Sequence, residues 1–570
     1  MKNSMNARSK GKTMKNQQHT PVLIVGAGGA GLSLSLLLQQ QGIASVLIER
    51  RSDVSWYPRA RNLNFRSLEI LRGLGLSSEA HAVGARPSRL IRKESLASRQ
   101  QEEVLDPITL FEGAFEDITP EPVVWYCPQS RLEPLLLTHA RRRDIDVRYN
   151  TELVSFTQDD TAVTVTLQDR TTGRREVLSF DYLLAADGAH SKVREKLGLP
   201  GKGYGALEEY FLFIYFRANW RQFMQENESA GDVLLIENST VNALFMRAEK
   251  DLGMLTIRYR PAQGQSAEVY TRERCQDLLR AAIGDPNIPF ELLDISPWRA
   301  AEHVADQFQQ GRVFLVGDAA HTMPPYEGLG VNMALQGAQN LVWKLAATIK
   351  GQASPELLST YTTERHPVTW MAAEQSLAGM MERPELKQHS LFARTEEERA
   401  KLAKQPPAPL FVPILGYRYR SDAIVSEEAV PPSQQGIELL GSMELNGQPG
   451  TRVPHLWVER SGQRLSTLDL FDGSFVLFTG SGGASWCEAA SAVAEKLGIK
   501  LSAYRIGPSW DLLDVENGWH KLGISPEGVM LARPDGFVAW RHSDSVANHE
   551  EQLQQVLLRI LGRATAQPAL

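Results

Sequence analysis

Three glycines near the start of the chain have the spacing of a phosphate-binding turn. Gly26, Gly28 and Gly31 follow the pattern GxGxxG, with Gly29 and Ala30 between them. The first glycine permits a tight turn, the second lets a pyrophosphate approach the backbone, and the third allows a helix to pack closely on a strand. A helix that starts at such a turn offers free N–H groups and partial positive charge to phosphate oxygens. These residue types therefore predict a diphosphate site.

The elements that must position this turn are present on both sides of it. The apolar residues 22–25 predict a strand, and a helical pattern runs from the glycines to Gln41. A second strand, residues 45–48, ends in Glu49 and is followed by Arg50, and both are candidate cofactor contacts. A carboxylate at this distance can accept hydrogen bonds from ribose hydroxyls. The order favours a dinucleotide site, and a plain strand–helix–strand turn is the alternative.

Two later apolar strands end in aspartate motifs. The first leads into Asp187-Gly188, and the second leads into Gly317-Asp318, which Pro324-Pro325 follows shortly afterwards. Residues 328–332, with the letters GLGVN, then open a helix whose apolar positions recur at helical spacing. Three motifs in this order are specific enough to indicate one shared cofactor site.

These motifs resemble those of the class A flavoprotein monooxygenases, which are aromatic hydroxylases related to p-hydroxybenzoate hydroxylase. The sequence Gly328-Leu329-Gly330 is most similar to that of the phenol and chlorophenol hydroxylases and the polyketide-tailoring hydroxylases. The resemblance implies an α/β fold, with a Rossmann-like FAD-binding domain, an inserted β-sheet substrate domain and a C-terminal thioredoxin-like domain. It implies FAD, NAD(P)H with NADPH favoured, and O2. The expected reaction is hydroxylation of a phenolic or polycyclic aromatic small molecule by a flavin C4a-hydroperoxide.

The resemblance also assigns roles to single residues. In the family, the aspartate matching Asp318 binds the ribityl chain of FAD, and the glutamine matching Gln129 contacts the same side of the cofactor. Arg59 matches an arginine that contacts FAD phosphate, and Asp187 belongs to a motif shared between FAD and nicotinamide handling. His321 is expected in a structural turn and not as a base. A turn aspartate and a solvated arginine are the ordinary alternatives for Asp318 and Arg59.

The loop after the prolines is expected to face the flavin. The resemblance places the backbone N–H groups of Gly330, Val331 and Asn332 against the flavin pyrimidine oxygen. Oriented N–H groups there would stabilise the negative charge of reduced flavin. Asn332 is equally suited to a simple helix N-cap, and the two roles are compatible.

The substrate pocket is expected in the β-rich residues 210–259, where alternation predicts a sheet over the flavin. Ordinary sheet core is the alternative for each strand residue, and no catalytic base can be identified from the sequence. Tyr326-Glu327 replaces a small or glycine pair of the family pattern, so Tyr326 is expected at the substrate side. The candidate pocket residues are Phe213, Tyr215, Arg217, Phe245, Met246, Pro324, Pro325 and Tyr326.

Composition shifts divide the chain into five parts. Residues 1–19 are polar and basic and predict a disordered tail, and residues 20–200 with 296–400 predict a discontinuous FAD-binding domain. Residues 201–295 predict the β-rich substrate domain, residues 401–445 a linker, and residues 446–570 the thioredoxin-like domain. That last domain has no CxxC, so packing or contact within a homo-oligomer is expected of it rather than redox chemistry.

Charge and cysteine content exclude several other classes. The net charge of −6 has no basic footprint for nucleic acid, and no apolar run is long enough for a membrane span. Three dispersed cysteines argue against structural zinc, so no metal site is expected, and they fit a reducing cytoplasm. An FAD oxidase, an FAD enzyme acting on a pre-reduced substrate and a non-catalytic ligand carrier are the alternative functions.

Overall fold

The computed structural model of the chain leaves Arg59 and Tyr326 outside its described residues. The predicted tail 1–19 and parts of the predicted linker 401–445 also lie outside them. The described residues are 20–57, 61–85, 89–105, 115–224, 228–229, 231–247, 251–259, 261, 266–325, 328–382, 411–426, 431–440, 445–508, 510–544 and 546–563.

A six-stranded sheet forms the centre of the N-terminal domain. Its four central strands are buried throughout and mostly apolar, as expected of parallel strands covered on both faces, whereas the edge strands carry polar residues. Four strand pairs are parallel, and only the hairpin at the edge is antiparallel. The strand order is Gln309–Gln310, Val313–Leu315, Tyr182–Ala185, Val22–Val25, Ser45–Ile48 and Asp146–Arg148.

Helices and small antiparallel sheets complete the N-terminal domain. The helices are Gly29–Gln40, Phe65–Gly73, Ser77–Val83, Gln129–Arg142, Lys192–Leu197, Leu329–Ile349, Thr360–Glu382 and Val412–Leu415. The small sheets pair Thr151–Gln158, Val163–Asp169 and Arg175–Phe180, then Asn62–Asn64 with Val124–Tyr126, and Tyr417–Arg420 with Gly436–Leu439. Short 3-10 turns in the chain are Trp220–Phe223, Ala267–Val269, Gly317–Ala319, Pro355–Ser359, Pro432–Gln434, Thr467–Leu470 and Trp519–Leu522.

An eight-stranded sheet forms the second domain, called the sheet domain below. The helix Arg272–Ile283 packs its apolar side on one face of this sheet. The sheet extends beyond the predicted residues 201–295, because two strands come from residues 90–105 and one long strand continues to Ala305. The strand order is His321–Thr322, Phe290–Ala305, Gly201–Ala218, Leu252–Tyr259, Asn242–Arg247, Val233–Glu237, Leu90–Lys93 and Gln101–Leu105.

The C-terminal domain has a seven-stranded mixed sheet with two helices, Ala484–Leu497 and His549–Ile560. Two parallel strands joined by the first helix, followed by an antiparallel hairpin and the second helix, give the predicted thioredoxin-like order. The expected hairpin around Asp535-Gly536 is present. The strand order is Gln463–Ser466, Trp457–Arg460, Leu512–Asp514, Leu501–Gly507, Phe475–Thr479, Val529–Ala532 and Val538–His542.

No helix among the described residues is long and apolar enough to cross a membrane.

Candidate active site

The glycine-rich turn has the backbone that its sequence predicts. Gly26 has a φ of +104°, and a Cβ there would lie 2.3 Å from the carbonyl oxygen of Ala186. A Cβ on Gly31 would lie 1.8 Å from the carbonyl oxygen of Gly26, so helix and turn touch backbone to backbone. Gly28 is extended and precedes the helix Gly29–Gln40. The turn can therefore present N–H groups to a diphosphate at close range.

Glu49 occupies the end of the second strand, as predicted. Its buried carboxylate accepts the Ala27 N–H at 3.0 Å and is bracketed by the guanidinium of Arg51 at 3.0 and 3.2 Å. Burial opposes the charged form, but the hydrogen bonds from Arg51 and Ala27 outweigh it and lower the pKa of Glu49. The side chain of Arg50 is exposed, and its carbonyl oxygen accepts a hydrogen bond from Arg170. Arg51, not Arg50, is therefore the ion-pair partner in this part of the site.

Glu133 is a site residue that the sequence reasoning missed. Its Oε1 accepts the Gly29 N–H at 3.0 Å and the side-chain amide of Gln129 at 2.6 Å. Burial raises the pKa of this carboxyl group. Gln129 and Glu133 lie one helical turn apart on Gln129–Arg142, and that spacing was the available signal. Glu133 fixes the predicted cofactor glutamine beside the glycine-rich turn.

The two aspartate motifs lie at the tips of neighbouring parallel strands. Arg194 joins them, because its guanidinium donates to the carbonyl oxygen of Ala319 at 2.7 Å and to that of Ala189 at 2.9 Å. The Oδ2 of Asp187 accepts the Val193 N–H at 3.3 Å, while its Oδ1 is buried with no protein hydrogen bond in the described part of the chain. Asp318 is exposed at the other tip. Both aspartates therefore reach the carboxyl edge of the sheet, where α/β folds bind ligands.

The predicted flavin loop meets the glycine-rich turn. Gly328 has a φ of +66° and begins the helix Leu329–Ile349, so Gly330, Val331 and Asn332 form its first turn. A Cβ on Gly29 would lie 3.6 Å from a methyl group of Val331. The two helices thus start side by side.

Asn332 does not cap its helix through the Ncap position. Its Oδ1 accepts the Asn64 N–H at 2.9 Å, and its amide donates to the carbonyl oxygens of Asn62 at 3.0 Å and Gly328 at 2.7 Å. This side chain ties the flavin loop to the strand Asn62–Asn64. The first-turn N–H groups have no partner within the helix, and the Asp187 Oδ1 has none among the described residues. These groups, the glycine cradle and the paired helix starts fit an FAD molecule.

One face of the sheet domain carries a continuous series of aromatic rings. Ring centroids are separated by 6.3 Å from Tyr215 to Phe213 and by 5.7 Å from Phe213 to Trp298. Trp56 and Tyr57, from the N-terminal domain, stack on each other and meet Tyr215 at 5.5 and 4.9 Å. We call these five residues the aromatic face. It lies opposite the face that the helix Arg272–Ile283 covers.

Polar groups lie within and beside the aromatic face. The hydroxyl of Tyr57 donates to Asp294 at 2.8 Å, and Asp294 is the direct strand neighbour of Tyr215. Thr256 is the direct neighbour of Phe213, and its buried Oγ1 has no protein hydrogen bond within the described residues. An aromatic wall with a few oriented oxygens can hold a flat, oxygen-bearing aromatic ligand.

The structure separates the predicted pocket residues. Tyr215 and Phe213 lie on the aromatic face, and Met246 is on the same face by strand register. Phe245 is on the opposite face, where its ring meets Phe216 in the core beside the helix Arg272–Ile283. Arg217 is exposed and pairs with Asp251 and Glu291 at 3.0 Å each.

The proline pair and His321 lie beside the start of the flavin loop. Pro324 is buried and Pro325 is exposed, just before the helix Leu329–Ile349. His321 is buried in a short strand against Val304, and burial, followed by the charge of Arg365, lowers its pKa to about 3. His321 thus lies in a strand, not in the turn that the resemblance implies.

Two family models match most of the chain. Residues 19–376 match the FAD binding domain, and residues 446–564 match the C-terminal domain of aromatic-ring hydroxylases. The chain is 34% identical to tetracenomycin B2 monooxygenase-dioxygenase of Streptomyces olivaceus, over 95% of this chain and 99% of the relative. It is 35% identical to 4-methyl-5-nitrocatechol 5-monooxygenase of a Burkholderia species, over 95% and 98% of the two chains.

A solved structure gives the same result in three dimensions. A ternary complex of aklavinone-11 hydroxylase with FAD and aklavinone superposes with a TM-score of 0.83 at 33% identity, covering 96% of this chain and all of that one. The flavin-dependent monooxygenase PieE, in complex with FAD and substrate, superposes with a TM-score of 0.80 at 29% identity. Together with the geometry of the turn, the strand tips and the aromatic face, these matches show that the chain belongs to the FAD-dependent aromatic-ring monooxygenases.

Proposed function

We propose that this monooxygenase hydroxylates a fused-ring phenol, using O2 and NAD(P)H, with NADPH as the favoured reductant. The observation that carries the proposal is the aromatic face, which the N-terminal domain reaches through Trp56 and Tyr57. The strand His321–Thr322 pairs with the sheet domain and leads directly to the flavin loop. The proposed substrate therefore lies between the aromatic face and the isoalloxazine ring.

Residues of this chain supply binding and orientation for FAD. Glu49 takes the ribose of the adenosine half, the N–H groups of Gly28, Ala30 and Gly31 take the pyrophosphate, and Gln129 and Asp318 take the ribityl chain, while the Gly29 N–H is held by Glu133. The N–H groups of residues 330–332 face the flavin pyrimidine oxygen. Bound FAD supplies the redox chemistry that activates O2, and the protein supplies position, electrostatics and exclusion of water. Arg59 is assigned to FAD phosphate through the family resemblance.

The size of the aromatic face supports a substrate with several rings. Three successive ring centroids, Tyr215, Phe213 and Trp298, span two steps of 6.3 and 5.7 Å. Tyr215 is buried beneath Trp56 and Tyr57, so the half-buried rings of Phe213 and Trp298 are the ones that a fused-ring system can contact by offset or edge-on packing. The Thr256 hydroxyl is placed to meet an oxygen of the substrate. One relative is named for tetracenomycin B2, and a structurally similar hydroxylase was crystallised with FAD and aklavinone.

The decisive experiment measures substrate-stimulated NAD(P)H oxidation and the source of the inserted oxygen. Purified protein should release FAD on denaturation, and NADPH oxidation should increase with 1,8-dihydroxyanthraquinone or 1-naphthol more than with phenol. With labelled O2, one labelled oxygen should appear in the product. Incorporation of oxygen from labelled water into the product would contradict the proposal. Faster NADPH oxidation with phenol than with either fused-ring compound would also contradict it.

A further inference from the structure

The C-terminal domain buries a charged hairpin tip in the N-terminal domain. Arg533 and Asp535 stand in the turn between Val529–Ala532 and Val538–His542, and their side chains are 0% and 1% exposed. Charged residues at a hairpin tip are normally solvated. Complete burial of both residues means that this tip has a specific partner.

The partner is a carboxylate on the long helix Thr360–Glu382. The guanidinium of Arg533 forms a bidentate salt bridge with Glu364 at 2.6 and 3.0 Å. It forms a second bidentate salt bridge with Asp535 at 3.0 and 2.6 Å. Lys344 approaches Glu364 at 2.8 Å, so two cations and two anions balance in a buried cluster. Such a cluster is stable only when every member is paired, because an uncompensated buried charge is strongly unfavourable.

The same cluster holds the middle of the flavin-loop helix, Leu329–Ile349. The side-chain amide of Asn340 donates to Glu364 at 2.6 Å and to Asp535 at 3.3 Å. Lys344, one turn further along, completes the contact through its bond to Asn340 at 2.9 Å. The hairpin tip therefore bonds to this helix at Asn340, and Glu364 links the tip to Lys344 in the next turn.

The tip also holds the neighbouring helix Phe65–Gly73. Arg66 donates to the backbone oxygen of Asp535 at 2.8 Å and to the side chain of Gln339 at 2.7 Å. This helix begins at Asn64, whose N–H is bonded to Asn332 in the flavin loop. Two of the three helices that the tip contacts, Leu329–Ile349 and Phe65–Gly73, thus begin at the proposed cofactor site.

An α-helix transmits a displacement along its axis almost rigidly. Asn340 lies eight residues after Asn332, which is about 12 Å along the helix. A clamp on Asn340 and Lys344 therefore sets the position of the first turn, whose N–H groups face the flavin. The C-terminal domain holds only one cysteine, Cys487, and burial raises the pKa of its thiol, so thiol redox chemistry offers no competing role.

We propose that the C-terminal domain is a positioning element of the flavin site, and that Arg533 is the positioning residue through which it acts. The proposal rests on the FAD site described under the proposed function. It predicts that the affinity for FAD and the redox potential of bound flavin depend on a guanidinium belonging to another domain.

The test compares Arg533→Met and Arg533→Lys with a matched control, Arg464→Met. Arg464 lies in the same domain but is exposed, with Glu516 as its ion-pair partner at 2.7 Å. The measurements are the dissociation constant of FAD with apoprotein, the midpoint potential of the bound flavin and the temperature of unfolding. Arg533→Met should weaken FAD binding about tenfold, within the usual range of coupling between sites. Its potential should become more negative, because displaced N–H groups stabilise reduced flavin less.

Arg533→Lys should give an FAD affinity, a midpoint potential and an unfolding temperature between those of the wild type and Arg533→Met. Lysine keeps the charge but cannot form a bidentate salt bridge. Arg464→Met should match the wild type in all three measurements. If Arg533→Met does not fold, Asp535→Asn removes one charge with little change in size and should shift the affinity and the potential in the same directions. Variants that unfold at a lower temperature but keep the wild-type FAD affinity and midpoint potential would overturn the proposal. Arg533 would then stabilise the fold without positioning the flavin site.

Failure of the proposed function would look different from failure of this inference. Wild-type protein that binds FAD but hydroxylates no aromatic compound would contradict the proposed function. The comparison of FAD affinity and potential between Arg533→Met and Arg464→Met would still be valid in that case.

Discussion

The Oδ1 atom of Asn332 accepts the backbone N–H of Asn64 at 2.9 Å, across 268 residues of sequence. The amide of the same side chain donates to the carbonyl oxygens of Asn62 and Gly328. Asn332 is 1% exposed, so water cannot replace these bonds. One side chain therefore joins the flavin loop to the strand that follows the predicted FAD-contacting arginine.

Asn332→Ala should destabilise the protein and weaken FAD binding together. The substitution leaves the buried backbone N–H of Asn64 without this partner, and an unsatisfied buried group costs about 1–3 kcal/mol. Thermal unfolding of apoprotein and FAD titration check the two effects. Asn242→Ala, an exposed asparagine in the sheet domain, is the control and should change neither. An unchanged FAD affinity in Asn332→Ala would show that the tie does not shape the cofactor site.

Gly31→Ala should yield protein that does not retain FAD. Its Cβ would lie 1.8 Å from the carbonyl oxygen of Gly26, so the turn and the helix must separate. Gly73→Ala is a matched control, because its Cβ would meet no atom closer than 3.8 Å. The flavin absorption of the purified variants measures the difference. A yellow Gly31→Ala protein with full FAD content would contradict the close backbone packing.

The sequence predicted the strand–turn–helix framework of the proposed cofactor site because its features are local. The glycines at 26, 28 and 31 and the strands around them depend on residues close in the chain, and each is where it was expected. The Asp-Gly turn of the C-terminal hairpin is local in the same way.

The missed residues are those whose partners are distant in sequence. Glu133 meets Gly29 across 104 positions, and Arg194 meets Ala319 across 125 positions. The spacing of Glu133 from Gln129 indicates that the two share a helix face, but it does not indicate the contact with Gly29, and a charged residue on a helix usually faces solvent.

Sequence reasoning also could not choose the substrate side of the sheet domain. Residues 211–216 are apolar on both faces of the strand. The alternation assigns each residue to one of two faces, but it does not indicate which face a helix covers. The structure shows that the helix Arg272–Ile283 covers the set containing Phe216 and Phe245. That tertiary contact leaves Phe213 and Tyr215 on the side facing Trp56 and Tyr57.

His455 should make the protein sensitive to acid. Burial, followed by the charge of Arg452, lowers its pKa to about 4, while the unfolded chain binds the proton near pH 6.5. The folded-state pKa is the lower one, so the stabilising contribution is complete above pH 6.5 and is lost as pH falls toward 4.

Urea unfolding at pH 6.5 and pH 5.0 tests this contribution. Wild-type protein should lose about 2 kcal/mol more unfolding free energy between these two values than His455→Asn, because only the wild type takes up this proton on unfolding. His321 changes both proteins equally and does not affect the difference. Equal losses in the two proteins would mean that His455 binds its proton equally well in the folded and unfolded states.

Tyr57→Phe should loosen the contact between the N-terminal domain and the aromatic face. The substitution removes the hydroxyl that donates to Asp294 at 2.8 Å but keeps the ring that packs on Tyr215 and Trp56. A hydrogen bond to a charged group contributes about 1.5–3 kcal/mol. Losing it should let the segment that carries Trp56 and Tyr57 move away from the aromatic face. An open segment admits water to the reaction, and a larger share of NADPH is then oxidised without hydroxylated product.

The test is the ratio of hydroxylated product to NADPH consumed, measured at a saturating concentration of a fused-ring phenol. This ratio should fall severalfold in Tyr57→Phe, while the dissociation constant for FAD stays within twofold of the wild type, because Tyr57 carries no assigned cofactor contact. Tyr210→Phe is the control, since that ring packs against Tyr259 elsewhere in the sheet. If Tyr57→Phe forms as much product per NADPH as the wild type, the Tyr57–Asp294 hydrogen bond does not exclude water from the site. Ring packing of Trp56 and Tyr57 on Tyr215 would then be sufficient.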